Sequence, residues 1–154
     1  MMSRHSSDSY VVLVEVISCD GGDRFRWRVN FGGSTICESR TLPSEMSCLM
    51  DMSVSHSILS MWVNGLFKSS IASTGRSIEF KTSEEDGGSW SWHFESYVGP
   101  VRSGERDELI LFGSSQNLPS RSECLTMALC SYSILETHIN RVSRLGGNEN
   151  DKQC

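Results

Sequence analysis

The stretch LPSEMSCL at residues 42–49 returns as LPSRSECL at residues 118–125, and SIL at 57–59 returns at 133–135. Both pairs share one offset (118 − 42 and 133 − 57 are both 76), and self-similarity at a fixed offset indicates an internally repeated unit. In a chain of 154 residues, each copy is too short to bury a stable core alone. The sequence therefore predicts two copies that share one core.

Three strands are expected ahead of each helix. In the first copy, aromatic and aliphatic residues alternate with polar ones, and Gly-Gly pairs supply tight turns. Pro43 is expected in the first helical turn, with Leu42 or Ser44 near the cap. The predicted strands are 10–17, 24–31 and 34–40, and eight residues then recur at helical spacing: Met46, Leu49, Met50, Ser53, Val54, Ser57, Ile58 and Met61.

The second half repeats this pattern with one insertion. The motif WSWHF at 90–94 matches FRWRV at 25–29 at an offset of 65, so the later offset of 76 requires eleven extra residues between the second and third strands. This insertion corresponds to 97–107, which is expected to be an exposed loop. A fourth strand is expected at 64–71, and the second unit has predicted strands at 77–83, 89–96 and 108–114 and a helix at 119–142.

The fold class predicted from these elements is α+β. One antiparallel sheet of about six to eight strands would carry both helices on the same face. Trp27, Trp90 and Trp92 have the parity that faces the helices, and Trp62 either fills the junction between the halves or lies at a partner interface. The expected organisation is a disordered tail at 1–9, a first repeat at 10–74, a second repeat at 75–145 and a disordered tail at 146–154.

The segment 25–49 resembles the small bacterial and archaeal proteins typified by YegP. The matching residues are Phe25, Trp27, Val29, Asn30, Gly32, Gly33, Ile36, Ser39, Ser44 and Cys48, and in the second half Trp90, Trp92, Phe94, Phe112, Ser115, Ser120 and Cys124. The resemblance implies a tandem of β(3)-α-β units, or a dimer of single units, forming one antiparallel sheet with exchanged C-terminal strands. The biochemical role of that family is undefined, and SIL replaces its usual Gly-Ile-x-Ser-Val stretch.

Composition excludes several functional classes. The net charge of −5 and pI near 5.3 are unlike the basic domains that bind nucleic acid through general attraction. No apolar run approaches the ~20 residues of a membrane span, and the polar N-terminal segment lacks the apolar core of a signal peptide. A cytoplasmic protein is therefore expected.

The six cysteines and four histidines show no metal-ligand spacing. The cysteines are expected to be reduced and to pack as small apolar side chains, and no metal or cofactor is predicted. The cysteines are Cys19, Cys37, Cys48, Cys124, Cys130 and Cys154.

Arg24, Arg26 and Arg28 share one face of the second strand, because side chains in a strand have period two. This stripe is either a solvated face paired with residues such as Glu15 or Glu38, or a site for an anion or a partner. The second copy does not repeat it. The candidate anion- or partner-binding residues are Arg24, Arg26, Arg28, Tyr97, Arg102 and Arg106, the last three in the inserted loop.

No nucleophile elbow, phosphate loop or dinucleotide motif occurs. The one enzyme-like grouping places His93 near Cys37 or Glu38. The sequence favours a non-enzymatic binding module with an unknown protein partner, acting through the open sheet face or the inserted loop. The alternatives are a nucleic-acid- or anion-binding protein that uses the arginine stripe and, second, an enzyme. A monomer with internal pseudo-two-fold symmetry or a weak dimer is expected.

Overall fold

A computed structural model describes residues 12–65, 76–98 and 107–153 as one six-stranded antiparallel sheet with two helices. This confirms the predicted α+β class with a single antiparallel sheet. The elements are β1 (Val12–Cys19), β2 (Arg24–Phe31), β3 (Ser34–Ser39), α1 (Glu45–Val63), β4 (Arg76–Glu84), β5 (Trp90–Val98), β6 (Asp107–Gly113) and α2 (Arg121–Gln153).

The strand order is β1-β2-β3-β6-β5-β4. Each half contributes three strands that pair in sequence order, and β3 joins β6 at the centre through the register pairs Glu38 with Gly113 and Ser39 with Phe112. The described strands at the two edges are therefore β1 and β4.

The start of each helix segment is tied to the sheet by the same backbone contact. Phe25 and Leu42 exchange two hydrogen bonds of 2.8 and 2.6 Å, and Trp90 and Leu118 exchange two of 2.7 Å. The two strand residues differ by 65 in number and the two leucines by 76, which are the offsets in the sequence. The repeated Leu-Pro-Ser motif thus positions the chain for the helix that follows.

Cys37 in β3 and Phe112 in β6, the third strands of the two halves, occupy equivalent positions, an offset of 75 (112 − 37). The offset of 76 used to align these strands in the sequence is therefore wrong by one residue. The register shifts after Val29 in β2 and after the equivalent Phe94 in β5. Phe94 then pairs with Phe112 as Val29 pairs with Cys37, whereas the sequence alignment at 76 matches Phe112 with Ile36. One extra residue therefore lies between β6 and its helix, and alignment by identity could not place it.

Hydrogen bonds to serine support the same correction. Ser39 Oγ accepts from the Trp27 amide at 3.0 Å, and Ser114 Oγ accepts from the Trp92 amide at 3.1 Å. Ser115, which the alignment matched with Ser39, instead donates to a β3 carbonyl at 2.6 Å. Ser114 is therefore the counterpart of Ser39.

Both helices pack on one face of the sheet and form a single core with it. Four of the five buried positions of α1 are buried again in α2 at an offset of 76, and the fifth, Ile134, is partly buried. The fully or nearly buried core residues are Trp27, Val29, Ile36, Cys37, Leu42, Cys48, Met52, Ile58, Leu59, Trp92, Phe94, Phe112, Cys124, Ala128 and Leu135.

The residues that recur at helical spacing in α1 are mostly not the buried ones. Met46, Leu49, Met50 and Val54 are each at least half exposed, while Ile58 is buried. The apolar residues of α1 are spread around the whole circumference of the helix. The spacing of these residues therefore could not identify the side that faces the sheet.

The helix boundaries differ from the predicted ones. Ser44 caps α1 by accepting from the Ser47 amide at 3.0 Å, so Pro43 precedes the cap rather than lying in the first turn. The backbone of α2 is helical to Gln153, beyond the predicted end at 142, so the expected tail at 146–154 is helical over most of its length. Two glycines there cost only about 1 kcal/mol each in a helix and do not force it to end.

Two predicted segments fall partly outside the description. The expected fourth strand at 64–71 begins in a turn at Asn64 and Gly65, and residues 66–71 lie outside the described residues. The two ends of the predicted loop at 97–107 belong to β5 and β6, and residues 99–106 lie outside the described residues.

Within the described part of the chain, neither helix combines the length and apolar character needed to cross a bilayer.

The two buried tryptophans have different polar environments. Trp27 Nε1 donates to Asp51 Oδ2 at 2.8 Å, and Asp51 also contacts the Arg40 guanidinium at 3.5 Å. Trp92 Nε1 is buried with no hydrogen-bond partner in the described structure, since Met127 occupies the position in α2 that is equivalent to Asp51.

Replacing Asp51 with methionine, the residue at the equivalent position of α2, should leave the Trp27 indole without its acceptor. We expect a loss of about 2 kcal/mol in the free energy of unfolding, measured by urea denaturation. Met127→Leu is the matched control and should cost under about 1.5 kcal/mol. Equal losses in the two variants would show that the indole hydrogen bond contributes little.

Burial raises the pKa of the Cys37, Cys48 and Cys124 thiols. A raised pKa means less thiolate, which is the reactive form, at any given pH. We expect iodoacetamide at mildly alkaline pH to modify the partly exposed Cys19 and Cys130 in the native protein well before these three. Peptide mass spectrometry measures the order, and early modification of Cys37 would contradict its placement in the core.

Candidate functional site: the open face of the sheet

One residue from every strand contributes to a row across the face opposite the helices. Residues paired between neighbouring antiparallel strands point to the same side of a sheet. Starting at β1 and ending at β4, this central row consists of Glu15, Arg28, Glu38, Gly113, His93 and Lys81.

The three arginines of β2 lie together on this open face. Arg24 is exposed, and Arg26 Nη1 forms an ion pair with Glu38 Oε1 at 3.0 Å. Arg28 lies in register between Glu15 and Glu38. The cross-strand pairing expected for a solvated arginine face is therefore present for Arg26.

The arginine side chains are only partly satisfied. The Nε atoms of Arg26 and Arg28 are buried and have no hydrogen-bond partner among the described residues. Glu15 Oε1, opposite Arg28, instead accepts from Asn30 Nδ2 at 2.8 Å. Arg28 thus retains hydrogen-bonding capacity at the centre of β2.

A second cluster lies across the central row, on β4 and β5. The Glu95 carboxylate is nearly buried, contacts Lys81 Nζ at 3.1 Å and is hydrogen bonded to His93 Nε2. The expected grouping of His93 with Cys37 or Glu38 is not present. Cys37 points to the helix side, and Glu38 lies two strands away, roughly 10 Å at the usual spacing between strands.

Gly113 separates the two charged groups. A Cβ atom at this position would lie 2.6 Å from His93 Cβ and 2.7 Å from His93 Cα, closer than packed atoms allow. The backbones of β5 and β6 therefore approach closely at Gly113, and the central row has no side chain between Glu38 on β3 and His93 on β5.

Of the remaining predicted site residues, the structure describes Tyr97 alone, and it is not brought to the arginines. Tyr97 belongs to β5, three strands from β2 and roughly 15 Å away by strand spacing. Arg102 and Arg106 lie outside the described residues. Sequence reasoning missed Lys81, which strand parity alone could have placed, and Gly113, whose role depends on the pairing of β3 with β6.

The open face carries both signs of charge close together. Carboxylates lie beside the basic residues on each side of Gly113, so the face offers hydrogen-bond donors and acceptors at short spacing. No group of three or more His, Cys, Asp or Glu side chains is arranged for a metal ion anywhere in the described ranges.

Comparison with the sequence models of known families, with curated proteins and with solved structures finds no match. The resemblance to YegP-like proteins stays a prediction. Functional inference for this chain therefore depends on the geometry of the open face.

Gly113→Ala should destabilise the protein by about 3 kcal/mol, at the upper end of overpacking costs, because the added methyl group meets the β5 backbone. Gly33→Ala is the control. Gly33 lies in a turn with φ +83° and open space around it, so its replacement by alanine should cost only the backbone strain of about 1 kcal/mol. Urea denaturation measures both, and a smaller loss for Gly113→Ala would exclude the tight strand approach.

Proposed function

We propose that this protein is a non-enzymatic binding module that recognises a protein partner through the open face of its sheet. The observation that carries the proposal is the central row, in which charged side chains of both signs lie on either side of Gly113. Helices cover the opposite face, so the open face can offer this pattern to a partner.

The open face also has the apolar residues that a protein interface uses. Leu13 on β1 and Ile110 on β6 have open-face register positions and are 47% and 54% exposed. Arginine beside apolar side chains is a frequent composition of binding hot spots. Arg28, in the central row between Glu15 and Glu38, is the residue we expect to contribute most.

The charge pattern favours a protein over a nucleic acid. Arg26 is already paired with Glu38, and Glu15 and Glu95 add negative charge to the same face. A phosphate backbone needs several uncompensated basic groups, and the chain carries a net charge of −5. Binding of nucleic acid or another anion through Arg24, Arg26 and Arg28 is the alternative that the experiment must exclude.

The proposal extends to the organisation of the chain. The matched bulges, strand-to-helix contacts and buried helix positions support a tandem YegP-like repeat with internal pseudo-two-fold symmetry. Buried thiols support a cytoplasmic protein with reduced cysteines.

Photo-crosslinking from the open face tests the function. A photoreactive amino acid replaces Lys81, at one end of the central row, or Leu125, on the exposed side of α2, and each variant is irradiated in a host-cell extract. We expect one discrete protein adduct from position 81 and none of the same mass from position 125. Arg28→Glu should reduce that adduct about tenfold, since a misplaced interface charge costs about 1.4 kcal/mol or more.

Arg24→Glu is the matched control, because it makes the same charge change on the same strand outside the central row. Its adduct should stay within about twofold of the parent. Equal losses in both variants would indicate general electrostatic attraction rather than recognition at the row. Salt-dependent binding of labelled single-stranded RNA or DNA that is lost when all three arginines become serine would establish the alternative.

A further inference from the structure

β1 is an edge strand with an accessible outer side. Among the described residues it pairs only with β2, so half of its backbone N–H and C=O groups face outward. Val12 and Leu13 at its start are 46% and 47% exposed. Such an edge is a template for an added strand.

A cavity lies beneath this edge, between β1 and the second half of α2. Its volume is about 420 Å³, which lies in the range of binding pockets. The residues that line its apolar part are Val12, Val14, Ile134 and Val142, with His138 and Arg141 at its polar side.

The opposite edge shows why the cavity exists. There, Trp62 of α1 packs on Phe80 of β4 with ring centroids 4.6 Å apart and meets Phe94 edge-on at 5.7 Å. Trp62 therefore fills the junction between the halves, one of the two positions expected from the sequence. His138 is the counterpart of Trp62 at the helix offset of 76. Val14 is the counterpart of Phe80, because Val14 pairs with Val29 in the same way that Phe80 pairs with Phe94.

Two large aromatic side chains at the β4 edge are thus replaced by histidine and valine at the β1 edge. The smaller pair leaves unfilled the space that Trp62 and Phe80 occupy on the other side. A space that fits aromatic side chains in one half is available to an aromatic side chain from outside in the other.

The rim of this cavity is basic in an acidic protein. Arg141 lines it, and Arg141 and Arg144 together line an adjoining depression of about 500 Å³. Among the residues whose side chains the structure describes, neither guanidinium forms an ion pair. Burial, then the nearby Arg141 charge, lowers the pKa of His138, which is consistent with unneutralised positive charge here.

We propose that the β1 edge binds an extended acidic peptide of a partner protein, which adds a seventh strand, places an aromatic side chain in the cavity and a carboxylate beside Arg141 and Arg144. This site lies at the edge of the sheet, shares only Leu13 with the residues assigned to the open-face surface, and does not depend on that surface. The strand edge supplies affinity through backbone hydrogen bonds, and the cavity and the arginines supply specificity.

Fluorescence anisotropy with a labelled eight-residue peptide tests the site. Phenylalanine and glutamate take turns at every second position, with threonine between them, so that both can lie on the helix side of the added strand. We expect saturable binding, and at least tenfold weaker binding when lysine replaces glutamate. No saturation up to about 1 mM peptide, or equal binding of the two peptides, would overturn the proposal.

Val14→Phe combined with His138→Trp copies the filled β4 edge into the β1 edge. This variant should lose at least tenfold in peptide affinity while its thermal midpoint is not lowered. Because a core change can fail to fold, Arg141→Glu with Arg144→Glu gives a second readout, in which preference shifts to the lysine peptide. Unchanged preference in the arginine variant, or full binding by the folded filled variant, would overturn the proposal.

Backbone methylation tests strand addition directly. N-methyl groups on alternate peptide residues should abolish binding when they face β1 and have little effect when they face away. Equal tolerance of both patterns would exclude an added strand. A concentration-dependent dimer in sedimentation that disappears in the filled variant would assign the edge to a second copy of this chain and overturn the peptide proposal.

Discussion

The structure depends on the pairing of β3 with β6 at the centre of the sheet. Among the described strands, only this pairing connects the two three-stranded halves. The β6 residue at this junction is Gly113, which lets β6 pack closely against β5, because a side chain there would meet the β5 backbone. Once the halves are joined, both helices can cover a single face and bury one shared core. A half of this size could not bury enough apolar surface by itself.

The surfaces of interest arise where the two halves differ. Glu38 and Gly113 occupy equivalent positions and face each other at the centre, so one half supplies a charge and the other a position without a side chain. Trp62 and His138 are equivalent in the helices, so one edge of the sheet is filled and the other has a cavity. Positions at which the two halves have similar residues form the core, and positions at which their residues differ form the proposed recognition surfaces.

Much of the fold followed from local patterns in the sequence. Alternation identified the parity of Trp27 and Arg26, since side chains in a strand have period two. The buried side of α1 could not be predicted from the sequence, because the apolar residues of that helix are spread around its circumference. The sequence alignment also mismatched Ser115 with Ser39, because identity cannot show which hydroxyl meets the Trp92 amide. The candidate site was predictable only within one strand, as a stripe of arginines on β2.

The amino-acid sequence by itself determined the order of strands and helices and the face on which each β2 side chain lies, and it shows the Leu-Pro-Ser motif twice at an offset of 76. These properties depend on residues close together in the chain. Tertiary structure alone decided that Glu38 meets Gly113, that His93 meets Glu95 and Lys81, and that the β1 edge has a cavity where the β4 edge holds Trp62. The physical reason is that strand register and packing across the sheet depend on residues distant in sequence, and no local pattern encodes them.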